Sequence, residues 1–104
     1  MLQAGQTALV RVKAATADGK VQRDGYALAE FWEPGRDPEH DPSQRDRPDR
    51  IVELEWDEAL RAWSGYVDTA GWAPGTWTVR GRAQCPTGRG PAKGWAWGAL
   101  PLAA

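Results

Sequence analysis

The sequence predicts an all-β domain, an antiparallel sandwich of six to eight short strands with its core between two sheets. Short segments alternate apolar and polar residues, as strands with one buried face do. Turn formers separate these segments, since the chain has 12 glycines and 8 prolines. Its 104 residues match one domain. We therefore expect a single domain spanning residues 1–104 that contains no long helix.

The first half of the chain contains two predicted strands. Thr7–Ala14 places four alanines or valines on one face and Arg11 and Lys13 on the other, which predicts a half-buried strand. Asp18-Gly19 is typical of a tight turn. Tyr26–Glu33 alternates as well and ends at Pro34-Gly35, but both of its faces carry apolar residues. The pattern therefore leaves open which face of this second strand is buried.

Residues 36–50 form the least regular part of the sequence. They read RDPEHDPSQRDRPDR, with three prolines, charges of both signs and no apolar residue. This composition predicts a long exposed loop. In a compact domain, a loop of this length is usually functional or mobile.

The second half of the chain predicts four more strands. Ile51–Trp56 and Arg61–Thr69 alternate around a turn, which favours a hairpin over a short helix at residues 54–63. Thr76–Ala83 points Trp77 and Val79 to one side, and Arg80 to the other, where we expect it to be free for solvent or a partner. After a second flexible loop at Cys85–Gly94, the last strand is Trp95–Leu102. Its Pro101 is typical of an edge strand. Six strands and a possible seventh, joined only by turns and loops, favour an immunoglobulin-like sandwich.

Bulk properties exclude several classes of function. The net charge is −1, from 13 basic and 14 acidic residues, without the basic excess of nucleic-acid-binding domains. No apolar run is long enough to span a bilayer, so no membrane partner is expected. The N-terminus lacks the features of a signal peptide, which predicts synthesis in the cytoplasm. A single cysteine cannot form an intrachain disulfide.

Catalytic and metal sites are weakly supported. His40 and Cys85 lie in different loops, and nothing in the sequence brings a nucleophile to a base. Glu53 and Glu55 alternate on one strand, which is typical of a solvated face rather than of a glycosidase pair. The acidic residues of the 36–50 loop match no EF-hand spacing. We therefore predict a non-enzymatic protein without catalytic residues, bound metal or cofactor.

The seven tryptophans are the most informative residues. Trp56, Trp63 and Trp77 share strand faces with valines and leucines, so we assign them to the core. The others could contact a partner, stack on sugar rings or complete the core. With the arginines of the charged loop, they form our set of candidate interface residues: Trp32, Trp72, Trp95, Trp97, Arg36, Arg45, Arg47 and Arg50.

The order of these motifs resembles a known family. Gly5-Gln6-Thr7 leads into the first strand, Asp18-Gly19 follows, and Trp63-Ser64-Gly65-Tyr66 precedes the string PGTWTVR at residues 74–80. This progression resembles the small immunoglobulin-like structural proteins of tailed bacteriophages and extends over nearly the whole chain. The PGTW string also occurs in other β-sandwich modules, including sugar-binding domains.

The resemblance implies a virion component, such as a capsid decoration, head–tail connector or minor tail protein. Such a protein would be assembled in the host cytoplasm, in multiple copies, and its partners would be other virion proteins. It would attach through aromatic and edge-strand contacts. The alternative is a carbohydrate- or cell-surface-binding β-sandwich module.

Overall fold

The computed structural model of the chain describes residues 2–13, 25–85 and 92–104, except the side chains of Cys85, Ala92 and Lys93. Within these ranges the protein is all-β, and no helix is long and apolar enough to cross a membrane. A single short 3-10 turn is described, at Pro42–Gln44. The strands are β1 (Leu2–Gln3), β2 (Thr7–Val12), β3 (Tyr26–Trp32), β4 (Arg50–Asp57), β5 (Ala62–Asp68), β6 (Gly75–Cys85) and β7 (Ala92–Ala103).

The seven strands form one sheet in the order β1-β7-β6-β3-β4-β5-β2. All neighbouring strands are antiparallel except β1 and β7, which are parallel. The sheet is therefore mixed, whereas the sequence predicted a purely antiparallel arrangement. Strand β4 changes partner along its length: its first part pairs with β3, and Glu55–Asp57 pair with β5. The sheet curls at this point until β2 packs against β3 and β6, which nearly closes it into a barrel.

The core lies inside this curled sheet. The predicted assignments of Trp63 and Trp77 to the core are confirmed, and Trp56 packs against the core from a partly buried position. Trp72 joins them, with ring centroids 5.2 Å from Phe31 and 4.5 Å from Trp77. These aromatic rings fill the space where the two halves of the sheet face each other.

The turn before β6 explains how the PGTW string positions Trp77. Gly75 has a φ of +123°, and a Cβ there would lie 2.8 Å from Cγ of Pro34. Only glycine therefore fits this turn without strain. The indole N–H of Trp77 donates to the carbonyl oxygen of Ala73 at 2.8 Å, so the turn also satisfies the polar atom of a buried side chain.

Strand β3 is buried on both of its faces. Ala27, Ala29 and Phe31 face the core, and Glu30 and Trp32 on the opposite face are buried as well. Residues 33–49, which follow β3, reach this side of the sheet, where Arg45 lies over Trp97, which in turn contacts Trp32. The sequence could not indicate which face of β3 is buried because both are.

All six predicted strands are present, and the alternative helix at residues 54–63 is wrong, because β4 and β5 form a hairpin there. The two-residue strand β1 was not predicted, since it is too short to show alternation. Ala14, the Asp18-Gly19 turn and residues 86–91 of the second loop lie outside the described residues. The remaining residues of that loop extend β6 and β7.

We predict that Gly81→Ala destabilises the fold. A Cβ at Gly81 would lie 2.7 Å from Cγ2 of Val12, where β2 crosses β6, and a β-branched side chain cannot rotate away freely. The expected loss in the free energy of unfolding, measured by chemical denaturation, is about 1–3 kcal/mol. Gly98→Ala is the control, because a Cβ there meets nothing within 4 Å. Equal losses from the two variants would contradict the close packing of β2 on β6.

Candidate functional site: the outer face of β3, β6 and β7

The side chains of β3, β6 and β7 that point away from the core form what we call the outer face. The register aligns them in rows across the three strands. One row contains Glu30, Arg80 and Trp97. Because side chains alternate along a strand, the next row on the same face contains Leu28, Arg82 and Trp95.

A buried ion pair lies at the centre of the outer face. Nε of Arg80 donates to Oε1 of Glu30 at 2.8 Å, and Nη2 donates to Oε2 at 3.2 Å. The two residues are only 9% and 4% exposed. The expectation that Arg80 is free for solvent or a partner is therefore wrong. Its guanidinium is fixed in a bidentate pair, which is the strongest geometry for an arginine and a carboxylate.

Tryptophan rings surround the guanidinium of Arg80. Its Cζ lies 5.3 Å from the ring centroids of Trp32 and Trp97 and 5.9 Å from that of Trp95. Trp32 and Trp97 also contact each other, with centroids 5.7 Å apart. These distances are within the range of cation–π attraction, which strengthens as the cation loses water.

Residues 33–49, which we call the strap, cover part of this face. Cζ of Arg45 lies 5.1 Å from the ring centroid of Trp97. Its guanidinium also donates to the carbonyl oxygens of Pro38, at 2.6 Å, and Glu39, at 2.8 Å. Pro38 is fully buried. Arg45 thus joins the strap to the outer face by a ring contact and by hydrogen bonds.

Further hydrogen bonds hold the strap in shape. Arg36 donates to the carbonyl oxygens of Gln44 and Arg47 and to the carboxylate of Asp49, at 2.8–3.1 Å. The same carboxylate accepts from the backbone N–H of Glu33 at 2.9 Å. Some of the charged residues that predicted an exposed loop therefore bind one another and backbone carbonyls, while eight of the fifteen residues 36–50 are exposed.

The four candidate interface tryptophans differ sharply in exposure. Trp32 and Trp72 are buried, so neither presents a surface to a partner. Trp97 is half-buried beneath Arg45. Trp95 is 57% exposed. It is thus the main aromatic surface that these four residues offer.

The four candidate arginines also separate into two groups. Arg36 and Arg45 are engaged within the strap. Arg47 and Arg50 are exposed, although Cζ of Arg50 lies 5.7 Å from the ring centroid of Trp72. The outer face thus brings together Trp32, Trp95, Trp97 and Arg45 of the candidate set, and it adds Glu30, Arg80 and Arg82.

A separate groove of about 630 Å³ runs between β4 and β5. Carboxylates line it together with Trp56 and the 76% exposed Tyr66. The indole N–H of Trp56 donates to Glu58 at 2.6 Å. The lining carboxylates are Glu53, Glu55, Asp57 and Glu58, the acidic residues of the β4 strand and the turn that follows it.

His40 lies in the strap and contacts a carboxylate. Its Nδ1 is 2.9 Å from Oδ1 of Asp37. This hydrogen bond, the charge of Asp37 and that of Glu39 raise the pKa of His40 above 6.5. The neighbouring Ser43 hydroxyl donates to Asp41 at 2.6 Å instead of to His40. Within residues 2–13, 25–85 and 92–104, no group of three or more His, Cys, Asp or Glu side chains is placed to hold a metal ion.

No protein-family model matches the chain, and comparisons with curated proteins and with solved structures found no match either. Functional inference therefore depends on the residues themselves. The most distinctive arrangement is the outer face, where a buried ion pair lies among three tryptophan rings, one of which is the exposed Trp95.

We predict that Glu30→Leu destabilises the protein by about 3–5 kcal/mol, because it leaves the Arg80 guanidinium buried without a counter-charge. The double variant Glu30→Leu with Arg80→Met should recover most of this loss. Arg61→Ala is the control: its contact with Glu58 is 3.9 Å long and exposed, so the expected loss is under about 1 kcal/mol. If Glu30→Leu cost no more than Arg61→Ala, the buried pair would be refuted.

We predict that His40 titrates above pH 6.5 in the folded protein. The folded state favours the protonated imidazole, so its contribution to strap stability is complete below that pH and lost as the pH rises through the folded pKa. His40 is the only histidine, which makes its NMR titration simple to assign. Asp37→Asn should lower the pKa towards 6.5, and Glu39→Gln should lower it less. An unchanged pKa in Asp37→Asn would contradict the contact.

Proposed function

We propose that this chain is a non-enzymatic structural component of a tailed-phage virion. It binds capsid, head–tail or tail subunits through Trp95, the outer face around it and the adjacent free edge of β7. The observation that carries the proposal is the 57% exposure of Trp95 on a strand whose residues 94–100 pair on one side only, within the part of the chain that the structure describes. Exposed tryptophan and unpaired strand edges are both characteristic of protein-binding surfaces.

We further propose that the fold is an immunoglobulin-like sandwich. The order β7-β6-β3 and the pairing of β2 with β5 support this assignment. They correspond to the two sheets of that fold, with strands G, F and C in one and B and E in the other. The switch of β4 from β3 to β5 joins the two sheets at one side.

The virion assignment is supported by the motif resemblance at residues 5–7, 63–66 and 74–80. The geometry adds a reason for rigidity at the binding surface. Trp95 is flanked by Arg82 and lies 5.9 Å from the guanidinium of Arg80, which is itself held by Glu30. An aromatic group fixed before binding loses little conformational entropy when it is covered. Such a surface suits a protein present in many copies in an assembled particle.

A carbohydrate- or cell-surface-binding module is the second candidate. The groove between β4 and β5 favours it, because Trp56 and Tyr66 can stack on sugar rings while the carboxylates accept hydrogen bonds from hydroxyl groups. Binding at this site would depend on Tyr66 and not on Trp95.

We predict that the protein co-purifies with intact virus particles and that Trp95→Lys lowers its occupancy there more than about tenfold. Mass spectrometry and reconstruction of purified particles measure occupancy and location. Tyr66→Lys is the matched control, since it introduces the same charge at another exposed aromatic residue and should leave occupancy unchanged. Absence of the protein from particles would contradict the virion role. Glycan-array binding lost in Tyr66→Lys alone would instead support the second candidate.

A further inference from the structure

The free edge of β7 is chemically unusual. Between Gly94 and Leu100 the strand reads GWAWGAL, without a charged residue or a proline. Among residues 2–13, 25–85 and 92–104, only β1 pairs along this edge, and it covers only Leu102 and Ala103. Exposed edges in soluble proteins normally carry charges, prolines or bulges that prevent pairing with another chain. An edge without these features is suited to accept a further strand.

Because the backbone of β7 is regular, the pairing register shows which peptide N–H and C=O groups point outward from this edge. The N–H of Ala4 donates to the carbonyl oxygen of Ala103 at 2.8 Å, on the side away from β6. The register between β6 and β7 is continuous from Gly75–Leu102 to Cys85–Ala92. Backbone polar groups alternate in direction along a strand. The N–H and C=O groups of Trp95, Trp97 and Ala99 therefore point to the open edge.

The segment Gly94–Gly98 is also a palindrome, GWAWG, centred on Ala96. We propose that two copies of the chain pair antiparallel through β7, with a two-fold axis at Ala96. This inference rests on the proposed function and names a second copy as one partner of the same edge. In such a pair Gly94 lies opposite Gly98 of the second copy, and Trp95 lies opposite Trp97. Small residues thus meet small ones and indoles meet indoles.

The pairing extends the outer face across both copies. The row that contains Arg82 and Trp95 in one copy continues into Trp97 and Arg80 of the other, because paired strands share their faces. The exposed indole of Trp95 in each copy is then covered by the Trp97 indole of the other copy. Trp32 and Arg45 already hold that Trp97 indole in place. The outward N–H and C=O groups of Trp95 and Trp97 bond to each other across the axis. The two-fold symmetry closes the assembly as a dimer.

Sedimentation of the full-length protein over a wide concentration range tests the association. We expect a reversible dimer, whose dissociation constant rises more than about tenfold in Trp95→Lys and stays unchanged in Tyr66→Lys. Monomers at every concentration would overturn the proposal, as would dimers indifferent to Trp95→Lys.

Cysteine cross-linking in a Cys85→Ser background tests the register. The two Ala96 residues meet at the axis, about 4.5 Å apart between Cα atoms, so Ala96→Cys should form a disulfide-linked dimer. Ala99→Cys is the control, because its two copies lie about 20 Å apart along the strands and should not cross-link. Equal cross-linking at both positions would reject the two-fold axis at Ala96.

These results separate the pairing from the proposed virion role. A monomer that still enters particles through Trp95 would overturn self-pairing and retain the role, with a different protein on the edge. A dimer that never enters particles would retain the pairing and reject the role.

Discussion

The ion pair between Arg80 and Glu30 determines how the outer face of this protein is built. A buried guanidinium and carboxylate are tolerated only when each satisfies the other. Their bidentate contact, with bonds of 2.8 and 3.2 Å, fixes a cation among three tryptophan rings. Arg45 of the strap then covers part of Trp97 while Trp95 stays exposed. The position of the exposed aromatic residue follows from this packing.

The strap shows how a highly charged segment can become ordered without an apolar core of its own. Arg36 and Arg45 bind backbone carbonyls of the same segment, Arg36 also binds the carboxylate of Asp49, and Asp41 caps the short turn at residues 42–44. One group at the outer face opposes folding. The indole N–H of Trp32 is buried and meets no acceptor among the described residues, and a buried donor that stays unpaired costs about 1–3 kcal/mol. Contacts of the same ring with Arg80 and Trp97 oppose this cost.

Alternation and turn residues were sufficient to predict six strands, the β4–β5 hairpin and the burial of Trp63 and Trp77. They could not predict the outer face, because it depends on the register between strands that are distant in sequence. Glu30 and Arg80 are 50 residues apart, and only the pairing of β3 with β6 makes them neighbours. Leu28 and Trp32, which flank Glu30 on one face of β3, were a signal that this second face also carries apolar residues. The sequence predicted the exposure of residues 36–50, of which eight are exposed, but not the internal hydrogen bonds of Arg36 and Arg45, because arginines that bind within a segment look, in sequence, like solvated ones.

The most direct test of this account is NMR of the arginine Nε–H groups in the folded protein. The account predicts that the Nε–H of Arg80 exchanges slowly with water, is shifted by ring currents, and shows contacts to the indoles of Trp32 and Trp97. Exchange as fast as that of the exposed Arg61, with no contact to either indole, would contradict it.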